Sequence, residues 1–179
     1  MRLFLSIIPI CLLFLTSCGS SSEAHHSDKK NVTTVYLVRH CEKADLTADP
    51  VLSEAGEKRA VELSEVLGNV GIDYIHSTDF KRTRATAKPT AEAYGIEPEI
   101  YNATELPKLV EKIKSQKGTH LVVGHSTTTP KMVQLLGGDK GTSINEKGEF
   151  DRLYKVTIQA NGDVSSELRS YGVPYTPKN

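Results

Sequence analysis

Tryptophan is absent, methionine occurs twice, and aromatic residues make up 6% of the 179; none of this excludes a function. The lack of net charge does. Lys+Arg and Asp+Glu count 22 each, so no overall field favours nucleic acid or an acidic polymer, and any basic site has to be local. The longest apolar run, Leu3–Leu15, has about 13 residues, short of the roughly 20 that a membrane-spanning helix needs. Also missing are a Gly-rich loop ending in Lys-Ser/Thr, an HExxH helix and a paired aspartate cluster. The chain therefore offers neither a nucleotide-type phosphate loop nor a seat for a hard or borderline cation. No metal or cofactor is expected. The length predicts one domain, large enough to bury a core without staples.

The apolar run follows a positive start, Met1-Arg2, and leads into the tetrad "LTSC", Leu15–Cys18. This is the layout of a signal peptide rather than a transmembrane anchor. The tetrad resembles a bacterial lipobox, which implies cleavage before Cys18 and a lipid on its sulfur; the alternative is an ordinary signal with an incidental cysteine. "GSSSEAHHSDKKN" behind it has the composition of a flexible polar tether. The expected organisation is a lipoprotein signal peptide over residues 1–17, a lipidated cysteine and tether over 18–31, and a folded domain over 32–179. The expected place is the bacterial cell envelope, on the periplasmic face of the inner or outer membrane. Of three cysteines, Cys11 leaves with the signal and Cys18 is lipidated, so Cys41 stays unpaired.

From Val32 the pattern is globular. "VTTVYLV", "IDYIHS" and "THLVVGH" read as buried strands, with a weaker strand over 99–101. Helices are predicted after Ser53 as N-cap, over about 82–94 with Pro89 inside and Gly95 beyond, on the Leu106, Leu109, Val110 and Ile113 stripe, and after Thr129-Pro130 up to Gly137-Gly138. Two tail strands flank Asn161-Gly162, a hairpin signal. Strands alternating with helices predict an α/β fold, a three-layer α/β/α sandwich with a mostly parallel central sheet.

Two strands end alike: "VYLV" runs into Arg39-His40, and "HLVV" into Gly124-His125-Ser126. Ligands of open α/β sheets bind beyond the carboxyl ends of the strands, so both histidines fall where a site belongs, with Arg82 after a third strand end. Arginine forks match phosphate oxygens, and a neutral imidazole acts as nucleophile or acid/base near pH 7. Such a set suits phosphoryl transfer, which rests on positioning and charge neutralisation.

"VRHCEK", "STDFKRTRATA" and "VVGHSTTTP", in that order, resemble the signature blocks of the histidine phosphatase, or phosphoglycerate-mutase-like, superfamily. The likeness extends weakly through "EFDRLYKVTI" and "RSYG". It implies that His40 is the nucleophile and becomes phosphohistidine, and that Arg39, Arg82 and His125 bind the phosphoryl oxygens. The small size favours a phosphatase, a phosphoric monoester hydrolase acting on a small phosphorylated substrate, over a mutase. "GHS" lacks the aspartate that supplies the proton in the phytase-like branch. Glu105 is then the first choice as general acid, with Glu42 and Asp45 as alternatives. Cys41 stands where the family carries a small residue. A cysteine phosphatase needs an arginine six positions on, and that position is Thr47, so Cys41 is read as packing. His76, His120 and Arg84 are read as structural or solvated. A non-catalytic phosphate-binding lipoprotein is the rival from another class, and a phosphomutase the third reading.

Overall fold

The computed structural model describes residues 31–177; the expected signal peptide, Cys18 and nearly all of the expected tether lie outside them. Six strands form one sheet: β1 (Thr33–Arg39), β2 (Tyr74–Ser77), β3 (Glu99–Ile100), β4 (Gly118–Gly124), β5 (Arg152–Ile158) and β6 (Val164–Ser170). Their order is β3-β2-β4-β1-β5-β6. The first four run parallel, β5 is antiparallel to β1, and β6 is antiparallel to β5. The helices are α1 (Glu54–Val66), α2 (Lys81–Tyr94), α3 (Leu106–Gln116) and α4 (Thr128–Leu135).

Alternating side chains of the sheet divide the core in two. Leu63 and Leu67 of the α1 segment and Ala87 and Ala91 of α2 pack with Val38, Ile75, Leu121 and Val123. On the other face Leu109 and Ile113 of α3 and Met132 and Val133 of α4 pack with Val35, Leu37, Val122 and Tyr154. This is the expected three-layer sandwich, and both cores are built from residues between Val35 and Tyr171. Fully burying one such aliphatic side chain stabilises by about 1.5–3 kcal/mol. Among the described residues no helix is long and apolar enough to cross a membrane.

Local signals mostly act as expected. The Ser53 hydroxyl accepts the Gly56 N–H and caps α1. Gly95 (φ 66°) takes the left-handed position that ends α2, and Gly162 (φ 89°) turns the β5–β6 hairpin. Thr129 differs from expectation. It lies inside α4 rather than at its cap, and its hydroxyl donates to the Val38 carbonyl.

Candidate active site

Register brings the two histidines together. β1 and β4 are parallel and pair Arg39 with Gly124, so both strands end at one level and His40 and His125 emerge side by side. The His40 N–H donates to the Gly124 carbonyl at 2.9 Å, and the imidazole centroids stand 5.6 Å apart, edge to face. β2 pairs Ser77 with Val123, so Thr78 reaches the same rim. Antiparallel β5 starts there, and the ring of Phe150, two residues before it, lies 6.0 Å from the His40 ring. Gly124 permits the crowding beneath: a Cβ there would come within 3.0 Å of the Thr128, Thr129 and Tyr101 hydroxyl oxygens.

The His40 tautomer is set by its backbone. Nδ1 lies 2.8 Å from the Cys41 carbonyl, which can only accept, so Nδ1 carries the proton and Nε2 keeps its lone pair. Burial, above all, lowers the His40 pKa to about 3, with the Arg39 and Arg82 charges adding to the effect. The ring is therefore neutral at physiological pH, the form a nitrogen nucleophile needs.

His125 is oriented by a hydroxyl relay. The Thr83 hydroxyl donates to the Thr78 and Phe80 carbonyls. Its oxygen is left to accept the Thr78 hydroxyl at 3.0 Å, and the Thr78 oxygen then accepts from His125 Nε2 at 3.0 Å. Phe80 packs edge-on against the ring at 5.2 Å. Burial, followed by the Arg82 and Arg39 charges, lowers the His125 pKa to about 4. Thr78, Thr83, Phe80 and Phe150 escaped the sequence reading. Thr78 and Phe80 sit inside the quoted block, but a hydroxyl or a phenyl ring signals no role until its neighbour is known.

The arginines divide the work unevenly. The sequence reading had Arg39 present its fork to phosphate, but the structure commits both Nη atoms elsewhere. They donate to the Asn145, Glu149 and Glu146 carbonyls, and the guanidinium lies 4.0 Å over the Phe150 ring. Only its Nε is buried and unpartnered. Arg82 is the freer donor, with Nε and Nη1 both buried and without a hydrogen bond. Burial lowers the Arg39 pKa to about 10 and lowers that of Arg82. Orphaned buried donors are rare in folded proteins. Three of them belong to the two guanidinium groups whose charges act on the His40 ring.

The three expected acids each take another partner. Glu105 lies at the start of α3, pairs with Lys108 and bonds Asn102, and Lys108 lowers its pKa. It lines a cavity of about 180 Å³ with His76, Glu99, Tyr101, Asn102 and Lys112. Glu42 is gripped by Arg59 at 2.9 Å, whose other nitrogens hold the Tyr171 and Val173 carbonyls. Asp45 sits in an exposed loop, and the Thr47 hydroxyl and N–H lower its pKa. None of the three expected acids makes a hydrogen bond or ion pair with His40 or His125. The carboxylate that does reach the rim is Asp49, which accepts the Lys81 N–H at the start of α2 and stands 3.7 Å from Arg82 Nη1. Its sequence neighbours form no motif, so only tertiary contact reveals it.

The remaining candidates are placed as follows. Cys41 is fully buried, 3.8 Å from the Tyr171 hydroxyl, and burial raises its pKa to about 11, so it holds a thiol rather than a nucleophilic thiolate. Arg84 is exposed and pairs with Asp79. His76 belongs to a second histidine pair inside the sheet and does not join His40.

Residues 35–111 match the model of the histidine phosphatase superfamily (branch 1). No curated protein matches the chain in sequence. The fold is similar to that of the protein histidine phosphatase SixA complexed with tungstate, at 16% identity and TM-score 0.63 over 77% of this chain and 97% of that one. It is similar to a mycobacterial glucosyl-3-phosphoglycerate phosphatase, at 15% identity and TM-score 0.60 over 78% and 98%. It is also similar to the phosphoglycerate mutase from Bacillus anthracis, at 16% identity and TM-score 0.58 over 80% and 94%. The fold is thus that of the histidine phosphatases, and the stretch carrying Arg39, His40 and Arg82 matches their superfamily.

Proposed function

We propose that the protein is a phosphomonoesterase that works through a phosphohistidine at His40, exported and held at the envelope by a lipid on Cys18. The observation that carries the reading is the bare Nε2 of a neutral His40 beside the orphaned donors of Arg82 and Arg39. Nε2 attacks phosphorus, the ester oxygen leaves with the bonding pair, and water then displaces the histidine to release phosphate. The arginines neutralise the equatorial oxygens throughout. His125, neutral in the empty site, gains a proton more readily once a dianion lies beside it.

The placement of the carboxylates supports a substrate class. With Glu105, Glu42 and Asp45 tied elsewhere, Asp49 is the one carboxylate in contact with a phosphate-gripping side chain among the described residues. Substrates whose leaving group needs little protonation, such as aryl esters, fit such a site best. An open cavity of about 600 Å³ lined by Thr78, Phe80, Tyr101 and Asn102 includes the two residues that contact His125 and gives a leaving group room.

The test is hydrolysis of a series of aryl phosphates in excess chelator, with acid-labile label trapped on the protein. The expected result is chelator-resistant turnover and a rate that falls steeply as the leaving-group pKa rises. Label is retained in Cys41→Ala and absent in His40→Ala. Phosphate binding without label would instead support a non-catalytic binding lipoprotein, and transfer to a second substrate hydroxyl would support a mutase. Anchoring is tested separately: Cys18→Ala should move the protein from the membrane to the soluble fraction, since a lipid contributes about 0.8 kcal/mol per buried methylene.

A further inference from the structure

β6 is an outer edge of the sheet, and all seven of its residues are exposed. A long uncovered edge presents a row of free backbone donors and acceptors, and folded proteins usually shorten, cover or pair such a strand. Residues 137–141 lie against the Val164, Ser166 and Leu168 side chains, and the Asp139 N–H donates to the Ser166 hydroxyl, but among the described residues no strand pairs with its outer backbone edge.

Backbone parity decides which groups face outward. The Gln159 N–H donates to the Asp163 carbonyl and the Tyr171 N–H to the Asp151 carbonyl. Both pairs continue the β5–β6 register, so the odd-numbered residues from Asp163 to Tyr171 exchange hydrogen bonds with β5. Val164, Ser166, Leu168 and Ser170 therefore direct their N–H and C=O groups away from the sheet.

We propose that β6 pairs antiparallel with β6 of a second copy of this chain, with Leu168 on the two-fold axis. In that register Leu168 faces Leu168 of the second copy and Ser166 faces its Ser170, all residues with outward amides. Glu167 then stands opposite Arg169 of the second copy, twice over, in the non-hydrogen-bonded positions where side chains approach most closely. Shifting by two residues in either direction sets Glu167 against itself or Arg169 against itself. The charges already lie on one face, with Glu167 bonded to Arg169 at 2.6 Å and directly across from Lys155. On the opposite face Leu168, 47% exposed, supplies an apolar contact at the axis. Two such strands bury less than the roughly 1,200 Å² of a standard interface, so the dimer is a weak and reversible one.

The experiment is sedimentation equilibrium of the domain from Asn31 to Asn179, which contains both cores, over a concentration series. The comparison set is wild type, Glu167→Arg, Arg169→Glu and the double charge swap, with circular dichroism to confirm that each folds. The expected result is a concentration-dependent dimer that each single change weakens about tenfold, by placing like charges opposite one another, and that the double swap restores. A monomer at every concentration overturns the proposal. So does a dimer indifferent to Glu167→Arg, or a folded double swap that fails to re-associate.

Discussion

Two histidine pairs lie near the middle of this molecule, and they differ in what their nitrogens are left to do. Inside the sheet, His120 Nε2 donates to the Lys117 carbonyl at 2.8 Å and its Nδ1 meets His76 Nε2 at 3.1 Å. The two rings stack at 5.4 Å, with Tyr74 stacked on His120 at 4.7 Å. His76 Nδ1 faces Glu99 at 3.4 Å. Because burial, with His120 adding, lowers the His76 pKa to about 4, this contact is not an ion pair near neutral pH; Glu99 pairs with Lys112 instead. At the rim, His40 spends one nitrogen on the Cys41 carbonyl and keeps the other open toward guanidinium groups that keep donors without a hydrogen bond. His40 is buried, as His76 and His120 are, while His125 is buried only in part. Chemistry is separated from scaffolding by the hydrogen bonds left unmade.

The largest effect that sharpens this contrast is on turnover. His40→Ala should lower kcat by roughly 10⁴-fold or more in a protein that still folds. His120→Ala should do the opposite, keeping kcat within a few-fold and costing about 2–4 kcal/mol in urea unfolding through a cavity and a stranded carbonyl. If the two variants lost activity equally, the division between the pairs would collapse.

Arg82 comes next. Arg82→Ala should cost about 10²–10³ in kcat/KM, as the loss of one preorganised donor does elsewhere. Arg82→Lys should recover only part of it, because an ammonium cannot reproduce the Nε and Nη1 pair. Full recovery with lysine would show that charge alone suffices.

Acid should act on both pairs through stability. The folded pKa values of His40, His76 and His125, about 3, 4 and 4, lie below the ordinary 6.5. The unfolded chain therefore binds protons that the folded one refuses. Stability from this source is complete above about pH 6.5 and is lost as the pH falls toward 4, by several kcal/mol in order of magnitude. Inorganic phosphate should raise the melting temperature of wild type at pH 5, and much less that of Arg82→Ala. A melting temperature that stays flat between pH 7 and 4.5 would refute the assignment of neutral rings.

The smallest effect concerns orientation. Thr78→Val removes the hydroxyl that accepts from His125 and should lower kcat about tenfold. Thr78→Ser should restore it. An unchanged kcat in Thr78→Val would mean that Phe80 packing alone orients the ring.

Sequence alone determined the layers and the rim. Periodicity specifies which residues each element buries, and strands that run into Arg39-His40 and Gly124-His125 place both histidines at carboxyl ends, whatever the details of packing. The capping hydroxyl of Ser53 and the turn at Gly162 were legible for the same reason: each acts on its own few neighbours. Tertiary structure decided what depends on contacts distant along the chain. It gave the Arg39 fork to the carbonyls of Asn145, Glu146 and Glu149, more than a hundred residues away. It tied Glu42 to Arg59 and Glu105 to Lys108, and it brought Asp49 to Arg82. A charged side chain at the end of three or four rotatable bonds chooses its partner only after the backbone is placed. Its role is therefore a property of the fold, not of the motif that contains it.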